Sequence, residues 1–308
     1  SVRQCLYKVN AAGEIKALTD TSLNVNSVSF APDGKHFIAA LSNFTTPVQL
    51  WMYETSSAAE AWKARRMLAS SDKKAKRYNS RPANTAYLVA DMKGNDYNAA
   101  NYALPQLIYI ENDGLKLPAY VVYPENFDPT KKYPVHVDIY GGPDSPQVRD
   151  RWIHPYSNNQ WWAKNGIIEV TADCRAAGHN GREGLDQIYK HLNTKEVEDF
   201  VAWAKYLQSL PYVQADKIGV EGFSFGGTMT AMLLFTASDY YHYGIAGGGV
   251  YDWILYDSHY TERFMETPQT NPEGYRDSRV ISYASQYKPT FDGDESVMLK
   301  ITHGTGEE

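Results

Sequence analysis

From residue 105 onward, short apolar runs of strand length alternate with stretches of helical period, and the strands end in glycine-rich turns. Few architectures accept that order. Parallel neighbouring strands need a long crossover, and a helix in that crossover covers one face of the sheet. Residues 119–124, 135–140, 167–172, 218–222 and 297–301 read as strands. Residues 196–210 place Val197, Phe200, Val201, Ala204 and Leu207 on one helical stripe, and residues 228–236 form an apolar helix. The expected fold class is α/β, a doubly wound and mostly parallel sheet with helices on both faces. In such sheets functional groups gather on loops at the carboxyl ends of the strands.

Residues 1–55 have a different grain, with short alternating strands punctuated by turns. Ala31-Pro32-Asp33-Gly34 is a turn with a mechanism, because proline presets φ and glycine accepts positive φ. Four short strands with an S-x-S-F-x-P-D-G turn look like one β-propeller blade, which has exposed edges and half a core. No second copy of the pattern occurs, so the propeller is expected to be incomplete. Residues 56–104 read as a linker and entry to the next domain, holding the basic run Lys73-Lys74-Ala75-Lys76-Arg77 as a solvated face. Residues 105–308 form the expected second domain.

Composition narrows the partners. Thirty Lys and Arg against 36 Asp and Glu give a net charge of −6, which disfavours a phosphate backbone as ligand. No apolar run approaches the roughly 18 residues needed to span a membrane. The two cysteines, Cys5 and Cys174, build no disulfide framework, and no Cys/His metal spacing exists, so no metal or cofactor is expected. Tyrosine supplies 24 of 41 aromatic residues, which suits either a wet binding surface or a β-rich chain that favours aromatics.

The chemistry concentrates at Gly222-Phe223-Ser224-Phe225-Gly226-Gly227, a G-x-S-x-G between a strand and an apolar helix. Small residues two before and two after Ser224 permit the tight turn of a nucleophile elbow. The following helix aims its amides at charge forming on a substrate oxygen. An ordinary βα turn whose serine caps the helix is the alternative. A serine needs a base, and the base an orienting acid, in the chain order Ser, acid, His. The acid belongs after the 297–301 strand, which makes Glu307 the candidate and Glu308 the second choice. All eight histidines precede that acid. His303 is read as shaping its loop, so the catalytic base is missing from these 308 residues and Ser224 is expected to be unactivated in the chain as given.

Several strings carry a family resemblance. They are Tyr140-Gly141-Gly142-Pro143, Asp173-x-Arg175-x-x-Gly178, Leu192-x-Thr194-x-Glu196-x-x-Asp199, the serine elbow, Tyr256-Asp257-Ser258-x-Tyr260-Thr261-Glu262-Arg263 and His303-Gly304-Thr305. In this order they resemble the prolyl oligopeptidase family of serine peptidases, most closely its dipeptidyl peptidase IV branch. The resemblance implies an α/β-hydrolase domain preceded by the last blade of a β-propeller. It implies Ser224 as the acylated nucleophile, with the Tyr140 hydroxyl and the Phe225 backbone N–H as the oxyanion hole. Val250, Trp253, Tyr256 and Tyr260, with Phe225, would line a pocket for proline or alanine.

The implied activity is a serine exopeptidase that releases N-terminal dipeptides after Pro or Ala from a peptide substrate. A homodimer and a periplasmic or secreted address for the full-length protein also follow from the resemblance alone. Departures are the Phe223 and Phe225 that stand where the branch usually has Trp and Tyr, the Cys174, Ala176 and Ala177 of the Asp173 turn, and Glu307 in place of Asp. The paired glutamates with which the branch grips the substrate's amino terminus have no counterpart here. An oligopeptidase or acylaminoacyl peptidase of the same family, and a non-catalytic binding protein on the same scaffold, are the alternative readings.

Overall fold

The computed structural model describes residues 1–32, 34–55, 86–95, 97–154, 157–289 and 298–305. Glu307, Glu308 and the basic run 73–77 lie outside the described residues. The chain divides into two compact units, one of residues 1–104 with 149–155, the other of residues 105–148 with 156–308.

In the first unit, β1 (Tyr7–Val9) and β2 (Ile15–Ala17) pair as a separate antiparallel hairpin. The four-stranded antiparallel sheet runs β3 (Asn24–Phe30), β4 (His36–Asn43), β5 (Thr46–Glu54) and β6 (Tyr87–Asp91). Period-two alternation turns Phe37, Ala39, Leu41, Trp51 and Tyr53 into one core while Ile38 stays exposed. The fourth strand comes after residue 55, beyond the stretch in which the blade's strands were read. Strand β6 lies in the stretch read as linker and satisfies the free edge of β5, although Leu88 and Val89 remain exposed and mute its alternation. The excursion 149–155 is tied to this unit through Asp150, which accepts from Arg3 Nε at 2.6 Å and from the Phe44 N–H at 2.9 Å.

The second unit holds a seven-stranded sheet in the order β13-β12-β11-β9-β10-β8-β7. Its strands are β7 (Gln106–Asn112), β8 (Leu115–Val122), β9 (Tyr133–Ile139), β10 (Ile168–Ala172), β11 (Val213–Phe223), β12 (Tyr243–Gly247) and β13 (Met298–Thr302). The five strands from β13 to β10 run parallel; β8 pairs antiparallel with β10, and β7 antiparallel with β8. Its helices are α1 (Asn158–Lys164), α2 (Gly181–Leu185), α3 (Lys195–Ser209), α4 (Phe225–Thr236), α5 (Ser258–Met265) and α6 (Pro272–Asp277). Strands β8, β9 and β10 are largely buried; β8 ends in an apolar run, whereas β9 and β10 alternate apolar residues with polar His136, Asp138, Glu169 and Thr171. The long helix α3 buries Phe200, Trp203, Ala204 and Leu207. Helix α4 is buried nearly throughout, from Phe225 to Leu234, which explains its apolar sequence.

Three central strands carry an ionic cluster that the sequence does not announce. His136 on β9 bonds Glu169 Oε2 on β10 at 2.6 Å and Glu221 Oε2 on β11 at 3.0 Å, and Trp162 of α1 stacks on its ring at 4.1 Å. Burial pushes the imidazole's pKa down, but the two carboxylates more than offset it and hold it at about 9. A folded-state value above the ordinary 6.5 contributes stability that is fully present below 6.5 and lost as pH rises through 9. The melting temperature should therefore fall by about 5 °C or more between pH 7 and pH 10, and Glu221→Gln should flatten that slope. Nitrogen NMR of the ring is the direct check, and an imidazole already neutral at pH 7 refutes the assignment.

Candidate active site

Strand β11 ends at Phe223 and α4 begins at Phe225, so Ser224 alone makes the turn between them. Its backbone sits at φ 59°, ψ −122°, a region that side chains with a Cβ avoid at a cost of about 1–3 kcal/mol. The flanking glycines leave no choice of residue. A Cβ on Gly222 would lie 2.5 Å from the Gly226 carbonyl carbon, one on Gly226 2.5 Å from the Ile139 oxygen, and one on Gly227 2.3 Å from the Gly247 oxygen. The first turn of α4 is thus wedged against the ends of β9 and β12, and the Ser224 N–H donates to the Gly247 oxygen at 2.8 Å. Phe225 contributes one of the first amides of α4, which have no carbonyl partner within the helix and form its positive pole.

Tyr140 follows β9 directly and is half-buried. Its ring lies 6.2 Å from the Phe225 ring, tilted by 47°. Gly142 packs against that ring, since a Cβ there would approach Tyr140 Cε1 to 2.4 Å. Strand order brings these residues together: β9 and β11 are neighbours, so the loop after one meets the elbow after the other.

The remaining aromatic residues form a box beside the elbow. The Phe225 and Trp253 rings lie 5.6 Å apart, Trp253 stacks on Tyr260 at 6.2 Å, and Tyr256 meets both edge-on at 6.0 and 5.7 Å. Trp253 and Phe225 are buried, while Tyr256 is partly open to solvent. Burial pushes the Tyr260 phenol well above its ordinary value, so it stays protonated at neutral pH. Tyr256 does not share a helix with Tyr260. It precedes the cap Asp257, whose side chain accepts from the Tyr260 N–H at 2.8 Å and so starts α5.

Two supporting residues escaped the sequence reading. Thr228 Oγ1 accepts the Val250 N–H at 2.8 Å and ties the loop bearing Val250 to α4; Thr228 and Thr230 are polar positions within the buried face of that helix. Asp252 accepts from the Ile254 N–H at 3.2 Å and from Arg279 Nε at 2.6 Å, holding the turn that carries Trp253. Nothing local to Asp252 distinguishes it from a solvated acid.

His303, in the loop after β13, has Nε2 3.3 Å from the Gly249 oxygen of the loop after β12 and Nδ1 3.3 Å from the Gly304 oxygen. Among the described residues no histidine hydrogen bonds to Ser224. Also among the described residues, no group of three or more His, Cys, Asp or Glu could hold a metal ion, and no helix is long and apolar enough to cross a membrane.

Comparison with known proteins gives the family. Residues 153–306 match the model of the prolyl oligopeptidase family. The chain is 37% identical over 236 residues to the probable dipeptidyl-aminopeptidase B of Uncinocarpus reesii, covering 74% of this chain and 25% of that protein. It is 42% identical over 212 residues to the probable dipeptidyl-aminopeptidase B of Arthroderma gypseum, covering 67% of this chain and 22% of the relative. The crystal structure of Porphyromonas gingivalis dipeptidyl peptidase 4 superposes with a TM-score of 0.74 at 29% identity, over 93% of this chain and 37% of the other. The chain therefore spans about a quarter of the length of the curated relatives it matches.

Proposed function

The chain belongs to the prolyl oligopeptidase family, a family of serine peptidases, and on that premise we propose that it carries the catalytic serine of a dipeptidyl peptidase acting after proline or alanine. The observation that carries the reading is the strained elbow at Ser224, raised on glycines that nothing larger can replace, at the amino end of a buried helix. Ser224 Oγ attacks the scissile carbonyl, a C–O bond forms, and the oxygen gathers negative charge. The Phe225 N–H and the Tyr140 hydroxyl, both at the carboxyl ends of the neighbouring central strands β9 and β11, are the donors for that charge. Collapse of the intermediate breaks the C–N bond and expels the amine, which leaves with the proton given up by Ser224 Oγ, and water then releases the dipeptide from Ser224. Glu307, which follows β13 in the sequence, is the proposed triad acid.

The pocket supports the choice of residue at the cleaved bond. A proline ring offers flat apolar faces and no N–H needing a partner, which matches the Phe225, Trp253, Tyr256 and Tyr260 rings and Val250. The test is a chromogenic panel of Gly-Pro, Gly-Ala and N-blocked Gly-Pro substrates with the full-length protein. Free Gly-Pro and Gly-Ala should turn over, with the blocked substrate slower by about 10²-fold or more, because its lost ammonium cannot be offset by the pocket. Equal rates on the blocked substrate would sink the exopeptidase reading.

A further inference from the structure

The motif Asp173-x-Arg175-x-x-Gly178 has no part in the chemistry above, yet it is among the most tightly held turns of the second unit. The Asp173 carboxylate is fully buried and accepts three donors: the Gln147 N–H at 3.0 Å, the Val148 N–H at 2.8 Å and His179 Nε2 at 2.8 Å. Two of those donors belong to the loop that leaves β9 and bears Tyr140. The same loop is gripped at two further points. The Asp144 N–H donates to the Ala176 oxygen at 2.8 Å, and Cys174 Sγ lies 3.5 Å from the Gly141 oxygen. Gly178 permits the approach, since a Cβ there would come within 2.5 Å of Asp144 Oδ1.

The turn itself is anchored from behind. Asp199 of α3 accepts from the Arg175 backbone N–H at 2.8 Å, from Arg175 Nε at 2.8 Å and from Nη2 at 2.7 Å, all fully buried. Trp203 Nε1, also of α3, donates to the Asp173 oxygen at 3.1 Å, and the Asp173 N–H donates to the Pro118 oxygen of β8 at 3.1 Å. The Tyr140 loop is therefore fastened to a rigid block built from α3, β8 and the end of β10. A carboxylate ringed by backbone N–H groups makes charge-assisted bonds, which hold geometry more firmly than neutral ones.

We propose that Asp173 is a positioning residue for the Tyr140 hydroxyl: by clamping residues 147 and 148 it fixes the loop whose other end presents that phenol beside Ser224. The inference rests on the assignment of Tyr140 as an oxyanion donor. A donor helps only when it is already aimed at the developing charge, and misplacement by about 1 Å can cost on the order of 10²-fold in rate.

The variant Asp173→Asn keeps the shape of the side chain and removes its charge. In the full-length protein it should lower kcat by about 10- to 100-fold with KM within about 3-fold of the unmodified value. In a Tyr140→Phe background the same change should cost less than about 3-fold, because a lost hydroxyl has nothing left to position. Hydrogen exchange of the 143–148 backbone should accelerate by more than about 10-fold, while the α4 segment stays protected. Should Asp173→Asn fail to fold, His179→Ala leaves the carboxylate in place, removes one of its three donors and should move both readouts the same way. Unchanged exchange in the loop, or an equal loss of kcat in the Tyr140→Phe background, overturns the proposal. A Tyr140→Phe protein with unaltered kcat instead overturns the assignment on which it rests, with loop exchange still deciding whether Asp173 clamps the loop.

Discussion

Ser224→Ala is expected to abolish hydrolysis of dipeptide substrates by the full-length protein, with kcat falling by about 10⁴-fold or more. The size of the effect follows from covalency. Without Oγ no acyl-enzyme forms, and only the preorganised donors remain to act on water. Folding should not suffer. The Ser224 side chain makes no cap hydrogen bond to α4, and the backbone N–H that holds the turn to Gly247 is retained. Stability adds a second measurement at the same position. Ser224→Gly should melt higher than Ser224→Ala, by about 1 kcal/mol, because glycine alone occupies φ 59° without strain. Turnover by Ser224→Ala close to that of the unmodified protein would remove the serine from the chemistry altogether.

Tyr140→Phe is expected to lower kcat by about 10²–10³-fold and to leave KM nearly unchanged. The phenol oxygen is the only group lost. The ring keeps its contact with Phe225 and its seat on Gly142, so the pocket retains its shape. A hydrogen bond that strengthens only as the carbonyl oxygen becomes an oxyanion contributes to the transition state and little to substrate binding. The split between kcat and KM is therefore the diagnostic measurement. A rise in KM with constant kcat would make Tyr140 a binding residue instead.

How legible this site was depended on the range of the forces involved. The elbow could be read from six consecutive residues because its packing leaves a local mark, glycines at fixed spacing: a Cβ at Gly222 would meet Gly226 in the same turn, and one at Gly226 or Gly227 the ends of β9 and β12. The α3 stripe and the buried runs of β9 and β10 were legible for the same reason, since burial imposes its period on the sequence. Strand β12 was not. Its Tyr243-Gly244-Ile245-Ala246-Gly247 has little apolar bulk, because a Cβ at Gly244 would meet Leu234 at 2.6 Å. Strand β6 was hidden by exposed Leu88 and Val89.

The primary structure by itself determined the class of fold and the glycine-flanked turn at Ser224, because each depends on spacing within a few turns of chain, while the aromatic residues near that turn were expected only from the family resemblance. Only the tertiary structure decided which loops face each other. His136, Glu169 and Glu221 come together because β10, β9 and β11 are neighbours in the sheet though widely separated in sequence. Asp173 reaches residues 147 and 148 for the same reason, across the ends of β9 and β10. Sheet order is a collective outcome of packing every strand and helix at once, so contacts that depend on it leave no local pattern to read.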